Sequence, residues 1–440
     1  MRYDHITELI GNTPLLRLDP AVHALPGVEL YAKLELCNPF GSVKDRVAWA
    51  MIRDDIDGIA ERGQTLIEAS SGNTAKALRL LGAGRGIGLH AVTNRIKVDA
   101  VRDLLQLLGT GIEELPGLSE CPDPTTPNDV YSVIETTMAK NPGAYHHPSQ
   151  YTNVKNIDAH YHGTGREIDD DLSGAGLRAD YLIGGLGTTG STRGTATYLR
   201  ERNPRLRTIA VVSQRTDFIP GIRSEAEMWD VGLFRPDFYD RITAVDSATA
   251  IQATLDLATG YGILAGPTSG AAYAAALDEL RDLPPAPQPV VAVLVVCDRL
   301  EPYLSYIRAR RPDLFGETAA PAPSAIDIDT APSLSPPQLR ELDTTGRPTV
   351  VDLRGAMAYR IGHILGAVNI RDDQLDDMLT HGLPFSRSRP VVFVCPVGEL
   401  SRRFTALATR AGYDAYGLAG GILAWRDAGY PLERSPAPDS

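Results

Sequence analysis

Tyr181-Leu182-Ile183-Gly184-Gly185-Leu186-Gly187-Thr188-Thr189-Gly190-Ser191 reads as a short buried strand that breaks into a glycine and hydroxyl turn and then opens a helix. Strand, turn and helix in that order form the building unit of a parallel α/β sheet. The glycines allow close backbone approach, and the hydroxyls of Thr188, Thr189 and Ser191 add donors at a helix N-terminus, so the turn suits a phosphate. It lacks the Gly-Lys-Ser/Thr ending of a nucleotide P-loop, which argues against ATP.

The pattern repeats outward from this turn. Short β-branched runs (Thr208 to Val212, Val290 to Val296) alternate with amphipathic stretches (Thr249 to Thr259, Ala271 to Leu283), predicting α/β layers around a mostly parallel sheet. The chain has 440 residues, enough for two or three domains. A Pro/Ala/Ser-rich stretch over 311–338 reads as a connector without helix or strand. Beyond it, Thr349 to Leu353 and Val391 to Val394 read as buried strands and Ser401 to Ala411 as a helix, so a second, smaller α/β domain is expected over 339–435.

Charge and cysteine usage exclude several classes. The formal net charge of −12 gains nothing from counterion release, so nucleic acid is not an expected partner. The longest apolar run, Val290 to Cys297, is far below the ~18 residues a bilayer needs, and the start has no signal-like pattern. No membrane association and a cytoplasmic location are therefore expected. Cys37, Cys121, Cys297 and Cys395 are widely spaced with no Cys-x-x-Cys pair, which argues against a disulfide framework and a zinc cluster. Cys37 and Cys121 read as packing or surface residues. His146-His147 and His160-x-His162 have no completing ligands and read as structural; no metal is expected.

Two further elements carry chemistry. Asn38 to Arg46 places Lys44 just after a Gly-Ser turn at a helix start, where the dipole opposes an ammonium and lowers its pKa. Taken alone, a lysine at a turn is an ordinary solvated side chain. Glu68-Ala69-Ser70-Ser71-Gly72-Asn73-Thr74 follows a strand and precedes a helix, and its N–H and hydroxyl donors suit a carboxylate or simply cap the helix.

Taken together, residues 1–310 resemble the cysteine synthase and cystathionine β-synthase family of fold type II pyridoxal-phosphate enzymes, which have two α/β subdomains. The resemblance is carried by Gly11-Asn12-Thr13-Pro14-Leu15, the Lys44 segment, Ser71 to Thr74, Gln150-Tyr151, His160 to Gly165, the glycine and threonine cup, Gly266-Pro267-Thr268-Ser269-Gly270 and Tyr303-Leu304-Ser305. It implies pyridoxal 5′-phosphate as cofactor, with Lys44 forming the internal aldimine and moving the α-proton. Asn73 is implied at the cofactor's 3′-oxygen, Gly187, Thr188, Thr189, Gly190 and Ser191 at its phosphate, and Thr268 at its pyridine nitrogen. A hydroxyl at that nitrogen does not hold it protonated, so elimination of a β-substituent is favoured over transamination. Ser70, Ser71, Gly72, Thr74 and Gln150 are implied to bind the amino-acid substrate. The resemblance further implies β-replacement on an activated L-serine through an aminoacrylate, and a homodimer. The Thr-Thr-Gly-Ser cup and the Asp298-Arg299 pair look more like the branch with 2,3-diaminopropionate synthases and O-phosphoserine users, so Arg223 or Arg299 is a candidate for a phosphate leaving group, acetyl being the other option.

Cys395-Pro396-Val397-Gly398-Glu399-Leu400-Ser401-Arg402 lies between a strand and a helix, where loop amides converge on the sulfur and favour thiolate. With Val350 to Arg354, Gly362 to Ile370 and Leu418 to Trp425, this segment resembles a rhodanese-like α/β domain. A persulfide on Cys395 is implied, although Leu400 stands where many active rhodaneses have arginine and Glu399 opposes an anion. Arg402 and Arg403 partly compensate. The combined expectation is a β-replacement enzyme whose sulfur donor is sulfide, thiosulfate or a persulfide carrier, giving cysteine or a related β-thio amino acid, with tethering raising the local donor concentration to about the millimolar range. An amine nucleophile giving 2,3-diaminopropionate and a sulfur-trafficking protein with a degenerate second domain are the alternatives.

Overall fold

The apolar run Val290–Val296 forms the central strand of the first unit because both its faces are buried. Val291, Val293 and Val295 pack into one core while Ala292, Leu294 and Val296 pack into another. The computed structural model describes residues 2–70, 72–93, 96, 98–115, 130–215, 217–224, 228, 231–316, 325–345, 348–372, 375, 378 and 383–434. Two units divide the chain, one of 1–113 with 133–315 and one of 114–132 with 316–440.

In the first unit the strands are β1 (Leu15–Arg17), β2 (Val28–Leu34), β3 (Thr65–Ala69), β4 (Leu89–Thr93), β5 (Gly111–Glu114), β6 (Tyr145–His146), β7 (Tyr181–Gly185), β8 (Arg207–Ser213), β9 (Arg241–Val245) and β10 (Val290–Val296). A six-stranded sheet runs in the order β1-β2-β10-β7-β8-β9, and a four-stranded sheet runs β5-β4-β3-β6. Within the larger sheet only β1 is antiparallel to its neighbour. In such a sheet ligands bind beyond the carboxyl ends of the strands. The Ser70 loop follows β3, the glycine cup follows β7, and Cys297-Asp298 follows β10.

A buried ionic network joins the turn at Thr13, the end of β2, the helix that carries Arg46 and the helix that carries Glu167. Arg46 donates to both oxygens of Glu35 (2.7 and 2.9 Å) and to both oxygens of Glu167 (2.6 and 2.7 Å). Lys33, fully buried, pairs with Glu167 at 2.9 Å and donates to the Thr13 carbonyl. Glu35 also accepts from Thr13 Oγ1 and Asn38 Nδ2. Gly163 lies in a π-helical stretch, His160–Gly165, and a Cβ there would stand 2.9 Å from the Arg46 guanidinium. His160 is held neutral, its pKa pushed by burial down to about 3.

The second unit is a parallel sheet of five strands: β11 (Ser333–Leu334), β12 (Thr349–Asp352), β13 (Val368–Asn369), β14 (Val391–Val394) and β15 (Ala415–Leu418), in the order β11-β15-β14-β12-β13. β14 alternates Val391 and Phe393 into one core with Val392 and Val394 into the other. The expected connector over 311–338 differs from the structure. Residues Ala325–Asp329 are helical, Ser333–Leu334 pair with β15, and the helix Pro336–Thr345 begins inside the stretch. Pro336 and Pro337 occupy the first helical turn, where the missing N–H has no partner to lose, and Gln338 Oε1 accepts from Ser335 N at 2.8 Å. Proline content marked a helix start as much as a connector.

Removing one partner from the buried network leaves an uncompensated charge. Glu35→Ala is expected to lower the unfolding free energy by about 3–5 kcal/mol in denaturant titrations. Arg17→Ala, which breaks the exposed pair with Glu29, should cost under about 1 kcal/mol.

Candidate active site

The helix Lys44–Ile52 starts at a turn pinned to the end of β10. Val43 N donates to the Cys297 carbonyl at 2.8 Å, and Ser42 bridges Asp298. This places the half-buried Lys44 beside residues 297–298, and burial lowers its pKa against the opposing negative charges of Asp298 and Glu35. The Cys297 thiol is pushed by burial up to about 12, so it is neutral and no nucleophile at physiological pH.

From Lys44 the site closes into a ring of contacts. Asn73, the first residue of the helix Asn73–Ala83, donates to Asp298 Oδ2 at 2.6 Å. Next to it, Thr74 Oγ1 donates to Gln150 Oε1 at 2.6 Å, and Gln150 Nε2 donates to the Ala69 carbonyl at 2.7 Å. Asn156 Nδ2 then donates to the Gln150 carbonyl (2.7 Å) and to Thr188 Oγ1 (2.9 Å), joining the Ser70 loop to the glycine cup. Across the cup, a Cβ on Gly187 would stand 2.7 Å from the Gly221 carbonyl, and Thr268 donates to the Pro220 carbonyl at 2.5 Å. Gly266 N donates to the Asp298 carbonyl at 2.9 Å and completes the circuit.

Other expected residues fall as follows. Ser70 Oγ accepts from Ala75 N (3.2 Å) and Gly72 N (3.4 Å), so it caps the helix that Asn73 opens. Ser71 and Cys121 lie outside the described residues. Arg223 N donates to the Leu186 carbonyl, and its guanidinium lies 4.9 Å from the Tyr151 ring centre, between the cup and the Gln150 segment. Arg299 is on the other side of Asp298, donating to the Leu36 carbonyl at 3.2 Å. There it lines a cavity of about 280 Å³ together with Asn73, Lys76, Asp298 and Glu301. The two arginines are therefore not equivalent.

The cup fits a phosphate. Thr189 is 1% exposed and left-handed (φ 67°), and its buried Oγ1 has no partner. It immediately precedes the 13-residue helix Gly190–Arg202, whose free N–H groups face an anion at that end. Tyr239 OH and Thr192 Oγ1, 2.8 Å apart and buried, support the first turn. Among the described residues no group of His, Cys, Asp or Glu is arranged to hold a metal, and no helix is long and apolar enough to cross a membrane.

In the second unit Cys395 directly follows β14 and is fully buried. Its Sγ accepts from Gly398 N at 3.1 Å and Ser401 N at 3.4 Å. Gly398 has φ 92°, and a Cβ there would stand 2.8 Å from Gly420 N, so the loop packs against the Leu418 to Trp425 motif. The Cys395 carbonyl accepts from Ile422 N in the same contact. Asp352 and Arg354 form a buried ion pair that also reaches the Gly362 carbonyl. Arg403 lies over the Phe404 ring at 5.1 Å, and Arg402 is exposed.

Residues 6–298 match the family model described as pyridoxal-phosphate dependent enzyme, and residues 335–428 match that of the rhodanese-like domain. The chain belongs to the pyridoxal-phosphate dependent enzyme family. Its cofactor is pyridoxal phosphate, and its relatives are cysteine synthase-like and cystathionine β-synthase-like. Cysteine synthase B of Pseudomonas aeruginosa is 32% identical over 315 residues, covering 69% of this chain and 97% of the relative. A hydrogen sulfide-producing enzyme from Fusobacterium nucleatum superposes with TM-score 0.60 at 29% identity, over 69% of this chain and 100% of the other. An O-acetylserine dependent cystathionine beta-synthase from Helicobacter pylori gives TM-score 0.59 at 27% identity, over 69% and 98%.

Two residues of the ring, Asn156 and Asp298, were not singled out from sequence as site residues, nor was Tyr303, whose hydroxyl donates to Asp298 Oδ2. Asn156 carried no signal, while Asp298 and Tyr303 sat inside motifs quoted for other reasons.

Asp45, next to Lys44, supplies a pH test. Its carboxyl accepts from Phe40 N (2.6 Å) and Ser42 Oγ (3.0 Å), yet burial pushes its pKa from 3.8 up to about 7. Between those values the folded chain keeps a proton the unfolded chain has lost, so this group makes stability fall as pH rises from about 4 to 7. Relative to Asp45→Asn, the wild type should lose up to about 2.5 kcal/mol of unfolding free energy between pH 5 and pH 8. A difference that does not change with pH would show a carboxyl titrating normally.

Proposed function

We propose that the first unit catalyses β-replacement on an activated L-serine and that a Cys395 persulfide supplies the sulfur, a thiol reductant cleaving the S–S bond and releasing the outer sulfur as sulfide, which adds to give cysteine or a related β-thio amino acid. The observation that carries the reading is the ring itself: beside a half-buried lysine, the Asn73-Thr74 turn and the glycine cup are tied together by Gln150, Asn156 and Asp298. Relatives named cysteine synthase and O-acetylserine dependent cystathionine beta-synthase support the same chemistry.

Bound pyridoxal phosphate supplies an electron sink for loss of a β-substituent. Lys44 holds the cofactor and then moves the substrate α-proton, a task its burial-lowered pKa favours by leaving more of the amine free of its proton. Ser70, Ser71, Gly72 and Thr74 hold the α-carboxylate with Gln150. The Gly187–Ser191 turn holds the phosphate with Thr188 and Thr189, while Asn73 and Thr268 contact the ring. Arg223 or Arg299 holds a phosphate leaving group: the Arg223 guanidinium stands over the Tyr151 ring beside Gln150, and Arg299 lines the cavity that Asn73 and Asp298 share. In the second unit the Gly398 and Ser401 amides hold the sulfur of Cys395 as it carries a sulfane sulfur.

Two measurements test the reading. Lys44→Ala purified with the cofactor should be colourless and lose turnover, and retained yellow colour would remove Lys44 from its role. Mass spectrometry after thiosulfate or persulfide treatment should show one added sulfur on Cys395. An unmodified cysteine would leave the second domain a binding module, and diaminopropionate formed from ammonia in competition with sulfide and thiosulfate would favour the amine reading.

A further inference from the structure

Asn73 is held from behind by two residues that the proposed chemistry does not use. Asp298 Oδ2 accepts from Asn73 Nδ2 at 2.6 Å and from Tyr303 OH at 2.5 Å, and the Tyr303 oxygen receives a longer contact from Nδ2 at 3.3 Å. Asp298 is 4% exposed and Tyr303 5%, so water does not compete for these bonds. A side-chain amide is nearly symmetric in shape, so only its partners determine which end is nitrogen. Here a carboxylate oxygen decides. Reversing the amide would set Asn73 Oδ1 against Asp298 Oδ2 at hydrogen-bond distance with no hydrogen between them.

The environment enforces this arrangement on Asp298. Its carbonyl accepts from Gly266 N, and its Oδ1 lies where a Cβ on Gly266 would stand 2.2 Å away. Oδ1 has no partner, so the whole of the side chain's bonding is directed through Oδ2 to Asn73 and Tyr303. Tyr303 in turn cannot donate elsewhere, because its one hydrogen goes to Asp298. The strong 2.6 Å bond takes one Nδ2 hydrogen, and the weak 3.3 Å contact leaves the second available to a group in the site.

We propose that Asp298 and Tyr303 act as a unit of positioning residues that fixes the Asn73 amide with its nitrogen as donor toward the 3′-oxygen of the bound cofactor. Neither residue touches the substrate. Their effect on the reaction runs entirely through Asn73, and a donor at the 3′-oxygen favours its deprotonated form, which the cofactor's absorption reports. Burial raises the Asp298 carboxyl above its usual range, with the Tyr303 and Asn73 hydrogen bonds and the charges of Lys76 and Lys44 opposing.

This inference rests on the reading that Asn73 contacts the cofactor, so the test includes that residue. Holoenzyme carrying Tyr303→Phe, Asp298→Asn or Asn73→Ala is compared with wild type by cofactor titration, by the ratio of the bound cofactor's two absorption bands, and by kcat and KM. The Phe variant keeps the buried ring and guards against an Asp298 variant that fails to fold. Tyr303→Phe and Asp298→Asn should move the band ratio in the direction that Asn73→Ala moves it. They should lower kcat by about tenfold to a hundredfold, with KM for the amino-acid substrate little changed. If Asn73→Ala moves the ratio and the other two leave both ratio and kcat at wild-type values, or lower only thermal stability, the pair is structural and the proposal is overturned. If Asn73→Ala itself leaves the spectrum unchanged, the Asn73 contact is wrong and the proposal falls with it.

Discussion

Arg46, buried between two carboxylates, fixes the geometry on which the first unit depends. A guanidinium with five donors meets Glu35 and Glu167 edge-on, and neither glutamate could stay charged at that depth without it. The effect shows in the carboxyls. Burial alone would raise both, yet Arg46 holds Glu35 below its ordinary range and helps hold Glu167 down to about 2. Each partner comes from a different part of the chain: the 11–14 turn, β2 and its end, the Lys44 helix, and the helix after the π-turn. Because Arg46 is two residues beyond Lys44, locking its guanidinium also locks the rotation of the helix that carries the lysine.

From that anchor the sheet does the rest. Parallel strands deliver their carboxyl ends to one edge, where the turn beyond β3 is rich in small hydroxyl residues and the turn beyond β7 in glycine and threonine. Long-range side chains then tie these turns together in sequence. The chain's charge of −12 works against anionic substrates, so their capture depends on oriented amides at short range, at the Gly187 cup and around Cys395 alike. Both sites thus use the same device, a strand end opening onto a helix N-terminus, with different occupants.

What could be read from sequence follows this division. Strand periodicity exposed β7, β8, β10, β12 and β14, because a strand with two buried faces is uniformly apolar. Turns that need special backbone shapes were legible through Gly187, Gly398 and their neighbours. Asn156 was not, since a buried asparagine in a helical stretch looks like any surface one until Gln150 and Thr188 are brought to it by folding. Ser333–Leu334 was missed for a related reason: two residues have no periodicity, and only the edge of β15 makes them a strand. Arg223 and Arg299 were indistinguishable as residue types and separated only when their carbonyl partners were known.

The position of β10 has a temporal meaning. It pairs Val290 with Val28 on one side and Ala292 with Tyr181 on the other, so the middle of the large sheet is the last part of the unit to leave the ribosome. At about 5–20 residues per second, β2 waits on the order of 10 to 50 s for its neighbour. Until then β2 and, once it has been synthesised, β7 have exposed edges and the apolar faces around them remain open, the situation in which nascent chains pair wrongly. The five strands of the second sheet, β11 to β15, are all synthesised after that gap has been filled, so their place along the chain sets that sheet after the vulnerable one.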